Sequence, residues 1–281
     1  MDETQPTPTL DNHLHLDPVN GRGVAAAEEF AAVGGTHLLV LNKPSWHYGG
    51  EITDADDFRA GFEHTLDVTR RSTAVLPGRA WAVLGVHPTL ISRLTDQGFT
   101  PEEARDLMQT GLDVAAEYVA SGDALALKSG RPHYEVDEAV WTASNSVMRH
   151  AFSLGAANDC AVQLHTEGGE EFTEVAQWAA DAGMSRHRVV KHYAGGRVTG
   201  PTPSVLSDKD ELLRAAEAGE PFMMETDFID DPERPGAVLG PKTVPRRTTW
   251  LREQGYETAL EIAHVETPHR VYGIDTNETL E

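Results

Sequence analysis

Eight short apolar runs recur along the chain, and most are followed by an amphipathic stretch of helical length. The runs are TLDNHLHL, THLLVLN, AWAVLGVHP, ALALKSG, CAVQLHT, HRVVKHYAG, GPTPSVLS and PFMMETDF. Between them lie GVAAAEEFAAVGG, ADDFRAGFEHTLDVTRR, PEEARDLMQTGLDVAAEYVASG, DEAVWTASNSVMRHAFSLGAA, EEFTEVAQWAADAG and DKDELLRAAEAG. The helical stretches open on Asp, Pro or Glu and several close on Gly, as capping requires. Strands that alternate with helices pair in parallel, and eight such strands predict a (β/α)8 TIM barrel, with some distortion allowed. The seventh run is the weakest because of its prolines. A doubly wound open sheet is the alternative, but no phosphate-binding glycine fingerprint follows the first strand. The 281 residues suit one barrel, so a single domain over residues 1–281 is expected.

Composition narrows the class of partner. The hydrophobic fraction is 40%, enough for a large core. The net charge is −22, a field that disfavours long nucleic acid and anionic membrane. A small-molecule or short anionic substrate fits better. The acidity and the scarcity of lysine suit a salt-rich cytoplasm; an ordinary acidic cytoplasmic enzyme is the other reading. The sole cysteine, Cys160, excludes an internal disulfide and fits a reducing compartment. No apolar run approaches ~20 residues, so no membrane helix is expected. MDETQPTPTL lacks a basic region and an apolar core, so no secretory leader is expected.

The polar residues in the apolar runs carry the chemistry. His13 and His15 are two apart, so in a strand both imidazoles share a face. Two such imidazoles at a barrel strand end can chelate a divalent metal, although a chance pair in a surface strand is common. The third run ends in His87, the fourth in Lys128, the fifth in His165, the sixth in His192 and the eighth in Asp227. The C-terminal strand ends are where barrel enzymes place reactive groups. A lone strand-end histidine is usually structural, but a repeated pattern is not. Four histidines and a carboxylate in one barrel mouth make a site for two divalent cations.

The ordered motifs DNHLHLD, GVHP, QLHTEG, KHYAG and METDFIDDP resemble those of the amidohydrolase superfamily, and within it the TatD-like hydrolases. That resemblance spans nearly the whole chain, and the Glu225-Thr226-Asp227 triplet is characteristic of the TatD branch. It implies that His13, His15 and Asp227 hold a buried metal and that His165 and His192 hold a more exposed one. It implies a metal-bridging hydroxide as nucleophile, with Asp227 as catalytic proton acceptor and donor. Such ligands suit zinc, manganese or a similar ion.

One position departs from the family. TatD-like enzymes carry a glutamate ligand near the end of the fourth strand, where this chain has Lys128. A bare ammonium would repel two cations. Other amidohydrolase branches carboxylate a lysine there, and an N6-carboxylated Lys128 would bridge both metals as an anion. An unmodified Lys128, bound to a phosphate or a nearby Glu with one metal present, is the alternative.

Arg131, His133 and His87 are candidate substrate contacts. Arg131 is shaped to clamp a phosphate or carboxylate, or else pairs with an acidic neighbour. Trp46 is expected to line the mouth. The irregular DDPERPGAVLGPKTVPRR, after the eighth run, is expected to cover it as a lid. The other histidines read as structural or surface residues. These features predict a metal-dependent hydrolase acting on an ester, first of all a phosphoester. Lys128 points also toward lactone or cyclic-amide opening, and a non-catalytic metal-binding barrel is the alternative of another class.

Overall fold

The computed structural model describes residues 7–48, 50–278 and 280. Most of the N-terminal stretch read above as lacking a secretory leader lies outside them. Nine strands form one parallel sheet: β1 (Leu10–His15), β2 (His37–Leu41), β3 (Ala80–Gly85), β4 (Ala126–Gly130), β5 (Ala161–His165), β6 (Val189–Ala194), β7 (Thr202–Leu206), β8 (Met223–Glu225) and β9 (Phe228–Ile229). The helices are α1 (Val24–Ala31), α2 (Ala55–Thr73), α3 (Thr89–Asp96), α4 (Pro101–Ser121), α5 (Glu138–Ala157), α6 (Thr173–Asp181), α7 (Lys209–Ala218), α8 (Thr243–Glu253), α9 (Glu257–Glu261) and α10 (Thr267–Tyr272).

Neighbouring strands follow chain order, and no reversal occurs, so the sheet is not doubly wound. Its two edges are β8 and β9, which only Thr226 and Asp227 separate in sequence. Strand β9 pairs with β1, Leu14 against Phe228 and His15 against Ile229. The sheet therefore curls back on its first strand, as in a TIM-like barrel, with the eighth strand broken at Asp227. The expected distortion lies at this break. The seventh strand forms between β6 and β8 even though it contains Pro203.

Strand alternation divides the interior. Leu10, Leu39, Leu41, Val83, Ala126, Ala161, Val190 and Met223 make one buried cluster, joined by Val271 and Ile274 from the C-terminal region. Leu127, Val162, Leu164 and Val189 pack instead with Phe62, Leu112 and Phe152 of the surrounding helices. Two residues after the inward Ala126, Ala161, Val190 and Met223 come Lys128, Gln163, His192 and Glu225. Each strand thus starts as oil and finishes as chemistry on the same face.

Several local expectations are corrected. Strand β4 runs two residues beyond Lys128, and His87 falls two residues beyond β3. Helix α3 follows directly on Pro88 and escaped notice because it is short. The segment from Asp230 is irregular only to Lys242, after which helix α8 takes up its remainder. Pro245 is tolerated there because it sits in the first turn, where the backbone N–H has no intrahelical acceptor. Arg247 Nε donates to Ser207 O at 3.2 Å, and Lys242 Nζ lies 3.5 Å from Glu29.

A single wide helical turn, Ile262–Glu266, carries the fully buried His264 under β1. The Leu10 amide donates to its Nδ1 at 3.1 Å, so the ring proton sits on Nε2, 2.9 Å from Thr248 Oγ1. Burial, helped by Arg252 and His37, pushes this imidazole down to about 3. A depressed histidine contributes stability above its unfolded value and loses it as pH falls through the folded value. Between pH 6.5 and 3 this one group should cost up to about 5 kcal/mol. Denaturant unfolding across that range should show a shallower acid decline in His264→Asn than in the parent chain; identical slopes would remove His264 from the account.

Candidate metal centre and active site

The upper ends of β1, β4, β5, β6 and β8 converge on one buried group of side chains. His13 Nε2 lies 3.7 Å and His15 Nε2 3.9 Å from Asp227 Oδ1. Lys128 Nζ lies 3.0 Å from His13 Nε2. The His13 and His192 rings stack at 3.7 Å. Ligand atoms of His13, His192 and Asp227 all fall within 4.8 Å of one another. His165 Nδ1 is 3.2 Å from His192 Nε2, and its own Nε2 is 2.9 Å from Nδ1 of the exposed His133.

Three imidazoles are turned the same way. His13 Nδ1 meets Gln163 Oε1 at 2.7 Å, His15 Nδ1 meets Leu41 O at 3.2 Å, and His192 Nδ1 meets Glu225 Oε1 at 2.9 Å. Each partner is an acceptor, so each Nδ1 carries the proton and each Nε2 offers its lone pair inward. Outer acceptors fix metal-binding histidines in this way. The donor set therefore fits divalent ions: neutral imidazole nitrogens and a carboxylate, pre-turned toward one space.

Burial governs the electrostatics. It pushes His13, His15 and His192 well below the usual histidine range, with the Lys128 charge adding to the effect on each. His165 is lowered by burial and then by His87 and Lys128. His87 falls to about 3 by burial, then Lys128. Burial raises Asp227 to about 6 against the pull of Lys128. Lys128 itself drops to about 8 because burial outweighs Asp227 and Glu225. Neutral imidazoles and a readily neutral amine are the forms that metal binding requires.

The backbone at Asp227 is unusual. Its φ is 49°, a left-handed value for a residue with a side chain. Asp11 secures the turn: its carboxyl group accepts from Thr226 Oγ1 at 2.6 Å, Thr226 N at 3.1 Å and His13 N at 3.2 Å. Asp227 N donates to His13 O at 2.9 Å. The same kink that interrupts the eighth strand thus delivers its carboxylate. Gly85, of the GVHP motif, lets β3 pass β4 here, since a Cβ would overlap the Lys128 carbonyl.

The remaining candidates sit around this group. His87 lies above β3, its ring 4.7 Å from His165 and edge-on to Trp46 at 6.2 Å. Arg131 is buried and already holds a carboxylate of its own chain. Its Nε donates to Glu167 at 2.8 Å, a second bond closes the pair, and Nη1 reaches Asn145 at 3.2 Å. Trp141 stacks on its guanidinium at 4.5 Å. This is the acidic-neighbour alternative of the sequence analysis. Sequence reasoning named Glu225 only within its triplet and missed its task, and it missed Gln163, Asp11 and the buried Lys43–Asp17 pair at 2.7 Å. Glu225 and Gln163 had a signal, because each lies two residues from a residue already on the inward face.

Fold and mouth together define a TIM-like barrel with a candidate metal site at the strand ends. Residues 10–270 match the family described as TatD related DNase, and the chain belongs to that family. It is 34% identical to the uncharacterized protein MJ1127 of Methanocaldococcus jannaschii over 98% of this chain and 99% of that one. Among solved structures, the TatD-like protein of Archaeoglobus fulgidus is similar in fold, with TM-score 0.61, 15% identity and coverage of 94% and 100%. The organophosphorus hydrolase of Deinococcus radiodurans is similar at TM-score 0.58 and 14% identity, over 95% and 92% of the two chains. Among the described residues, no helix is long and apolar enough to cross a membrane.

If Glu225 fixes the His192 ring, Glu225→Ala should weaken zinc binding by about 10–100-fold in calorimetric titration. Glu225→Gln, which keeps an acceptor oxygen, should lose less. Equal affinities across the three proteins would make Glu225 a packing residue only.

Proposed function

We propose that the protein is a metal-dependent hydrolase, with a phosphoester as its first substrate class. The observation that carries this is the common inward orientation of three imidazoles beside Asp227 and Lys128. His13, His15 and Asp227 would hold one divalent ion, and His165 and His192 a second. Zinc, manganese or a similar ion, when bound, supplies Lewis acidity that brings the pKa of water toward neutrality. One carboxylate oxygen of Asp227, Oδ1, faces the His13 and His15 nitrogens. The other, Oδ2, is then available to take the proton of the attacking water. As the water oxygen bonds to phosphorus, the bond to the leaving oxygen breaks, and Asp227 returns the proton to it. His87 and His133 stand at the rim as substrate contacts. Arg131 acts by fixing Glu167, next to His165 and Thr166, and so shapes the loop after β5.

Lys128 is the one member of the set whose ordinary charge opposes this reading. Its amine is buried among the ligands, and burial favours the neutral form. The neutral amine can add carbon dioxide, forming an N–C bond and releasing one proton. The resulting carbamate is the anion that the family's usual glutamate would provide. A carboxylated lysine also supports the second reading, lactone or cyclic-amide opening, in which the attacked atom is a carbonyl carbon. Either reading suits a small or short anionic substrate better than long DNA, given the net charge of −22.

Elemental analysis after reconstitution with zinc or manganese should approach two equivalents, as a two-ion site requires. A value that stays below one rejects the dinuclear centre. Lys128→Ala should lose metal and activity, whereas Lys128→Glu should keep at least one ion and some activity. Apo-protein stripped of carbon dioxide should reload faster when bicarbonate is supplied; equal rates would reject the carbamate. A panel of oligonucleotide, phosphomonoester, lactone and cyclic-amide substrates separates the two reactions. Failure of all of them with a fully loaded protein would favour a non-catalytic barrel.

A further inference from the structure

The exposed large hydrophobic side chains among the described residues are Val19, Tyr134 and Tyr193, at 55%, 39% and 52% exposure. All three follow or end strands at the C-terminal mouth: Val19 after β1, Tyr134 after β4, Tyr193 within the last turn of β6. The rest of the described surface exposes none of comparable size. An apolar group kept in water on one face alone marks that face for contact.

Tyr193 is the most constrained of the three. Its φ is 52°, a left-handed backbone that a bulky side chain rarely adopts. The ladder between β6 and β7 slips at this point, between Lys191 and Ala194. Two residues earlier, Lys191 is buried, with its amine bonded to His192 O at 2.6 Å. Tyr193 instead stands out in solvent. Its backbone is held by the fully buried Glu225, whose Oε1 accepts Tyr193 N at 2.8 Å as well as His192 Nδ1 at 2.9 Å. Strained backbone persists where its surroundings over-determine it, and such positions cluster at binding sites. One carboxyl group thus fixes a metal-facing imidazole and a solvent-facing phenol side by side. The ring centroids of His192 and Tyr193 are 5.9 Å apart, and the Tyr193 hydroxyl has no hydrogen-bond partner among the described residues. Tyr134 and Trp46 lie further along the rim, edge-on to His133 at 5.3 Å and to His87 at 6.2 Å.

We propose that Tyr193 is a specificity-determining residue whose ring stacks on a planar aromatic group borne by the substrate beside the hydrolysed bond. The proposal rests on the hydrolase reading above. A tyrosine presents a flat face at little rotamer cost, and its best partner is another ring rather than an alkyl chain. A ring that served only packing would be covered; this one is uncovered and rigidly rooted.

The test uses two non-hydrolysable anions of the same charge, phenylphosphonate and methylphosphonate, titrated into the zinc-loaded protein by calorimetry. The parent chain should bind the phenyl compound about tenfold more tightly, in line with the usual value of one stacked ring. Tyr193→Phe should keep that preference. Tyr193→Gly should bring the two affinities together while leaving methylphosphonate binding unchanged. Glycine adopts a positive φ without strain, so Tyr193→Gly should melt no lower than the parent. A preference that survives Tyr193→Gly, or equal binding of the two anions by the parent, overturns the role of Tyr193 and leaves the hydrolase reading standing. If neither phosphonate binds the loaded protein, the phosphoester reading falls and takes this inference with it.

Discussion

The carboxyl group of Glu225 is the joint on which the mouth of the barrel depends. It is fully buried, and three strands report to it: β6 through His192 Nδ1 and Tyr193 N, β7 through Ser204 Oγ, and β8 by covalent attachment. Burial and the Asp227 charge push its pKa well up, whereas the Ser204 and Tyr193 donors work against them. A group in that position is costly unless every donor stays in place. Losing one contact would loosen its neighbours, because Ser204 Oγ also accepts from Asn12 at 2.9 Å, on β1. Strand order, imidazole orientation and the exposed tyrosine are therefore one coupled arrangement.

Much of this was legible from spacing. The period of two in HLH put His13 and His15 on one face, position at the ends of their runs put Lys128, His165 and His192 at the mouth, and the alternation of runs and helical stretches gave the parallel sheet. What escaped was of two kinds. Glu225 and Gln163 were on the right face, but their task is to hold other side chains, which no spacing reveals. Asp227 was assigned to the mouth, yet its left-handed backbone and the strand break depend on Asp11, 216 positions away in sequence, through Thr226. Contacts between distant segments are set by closure of the sheet, which short windows of sequence do not contain. The irregular segment after the eighth run is shorter than expected for a related reason: prolines suggest irregularity, but Pro245 falls in the first turn of α8.

Charge is distributed against the average of the chain. The surface carries the acidic excess, while Lys43, Lys128, Arg131 and Lys191 are buried near the mouth. Lys43 pairs with Asp17 at 2.7 Å and caps Asp230 O at 3.1 Å. Asp230 in turn accepts the Asp17, Arg22 and Gly23 amides, so the loop after β1 and the segment after β9 are tied together. These buried cations are matched by carboxylates: Lys43 by Asp17 and Arg131 by Glu167, with Glu225 and Asp227 beside Lys128.

The contact between Lys128 Nζ and His13 Nε2 closes a polar chain that runs from Tyr272 through Gln163 to His13. The lone pair of His13 Nε2 is thereby met by a proton of the chain itself, from the amine of Lys128. A cation that took His13 Nε2 as a ligand would displace the Lys128 amine from it, so loading at this nitrogen would be an exchange of partners. Proton release on metal binding is the expected signature of that single hydrogen bond.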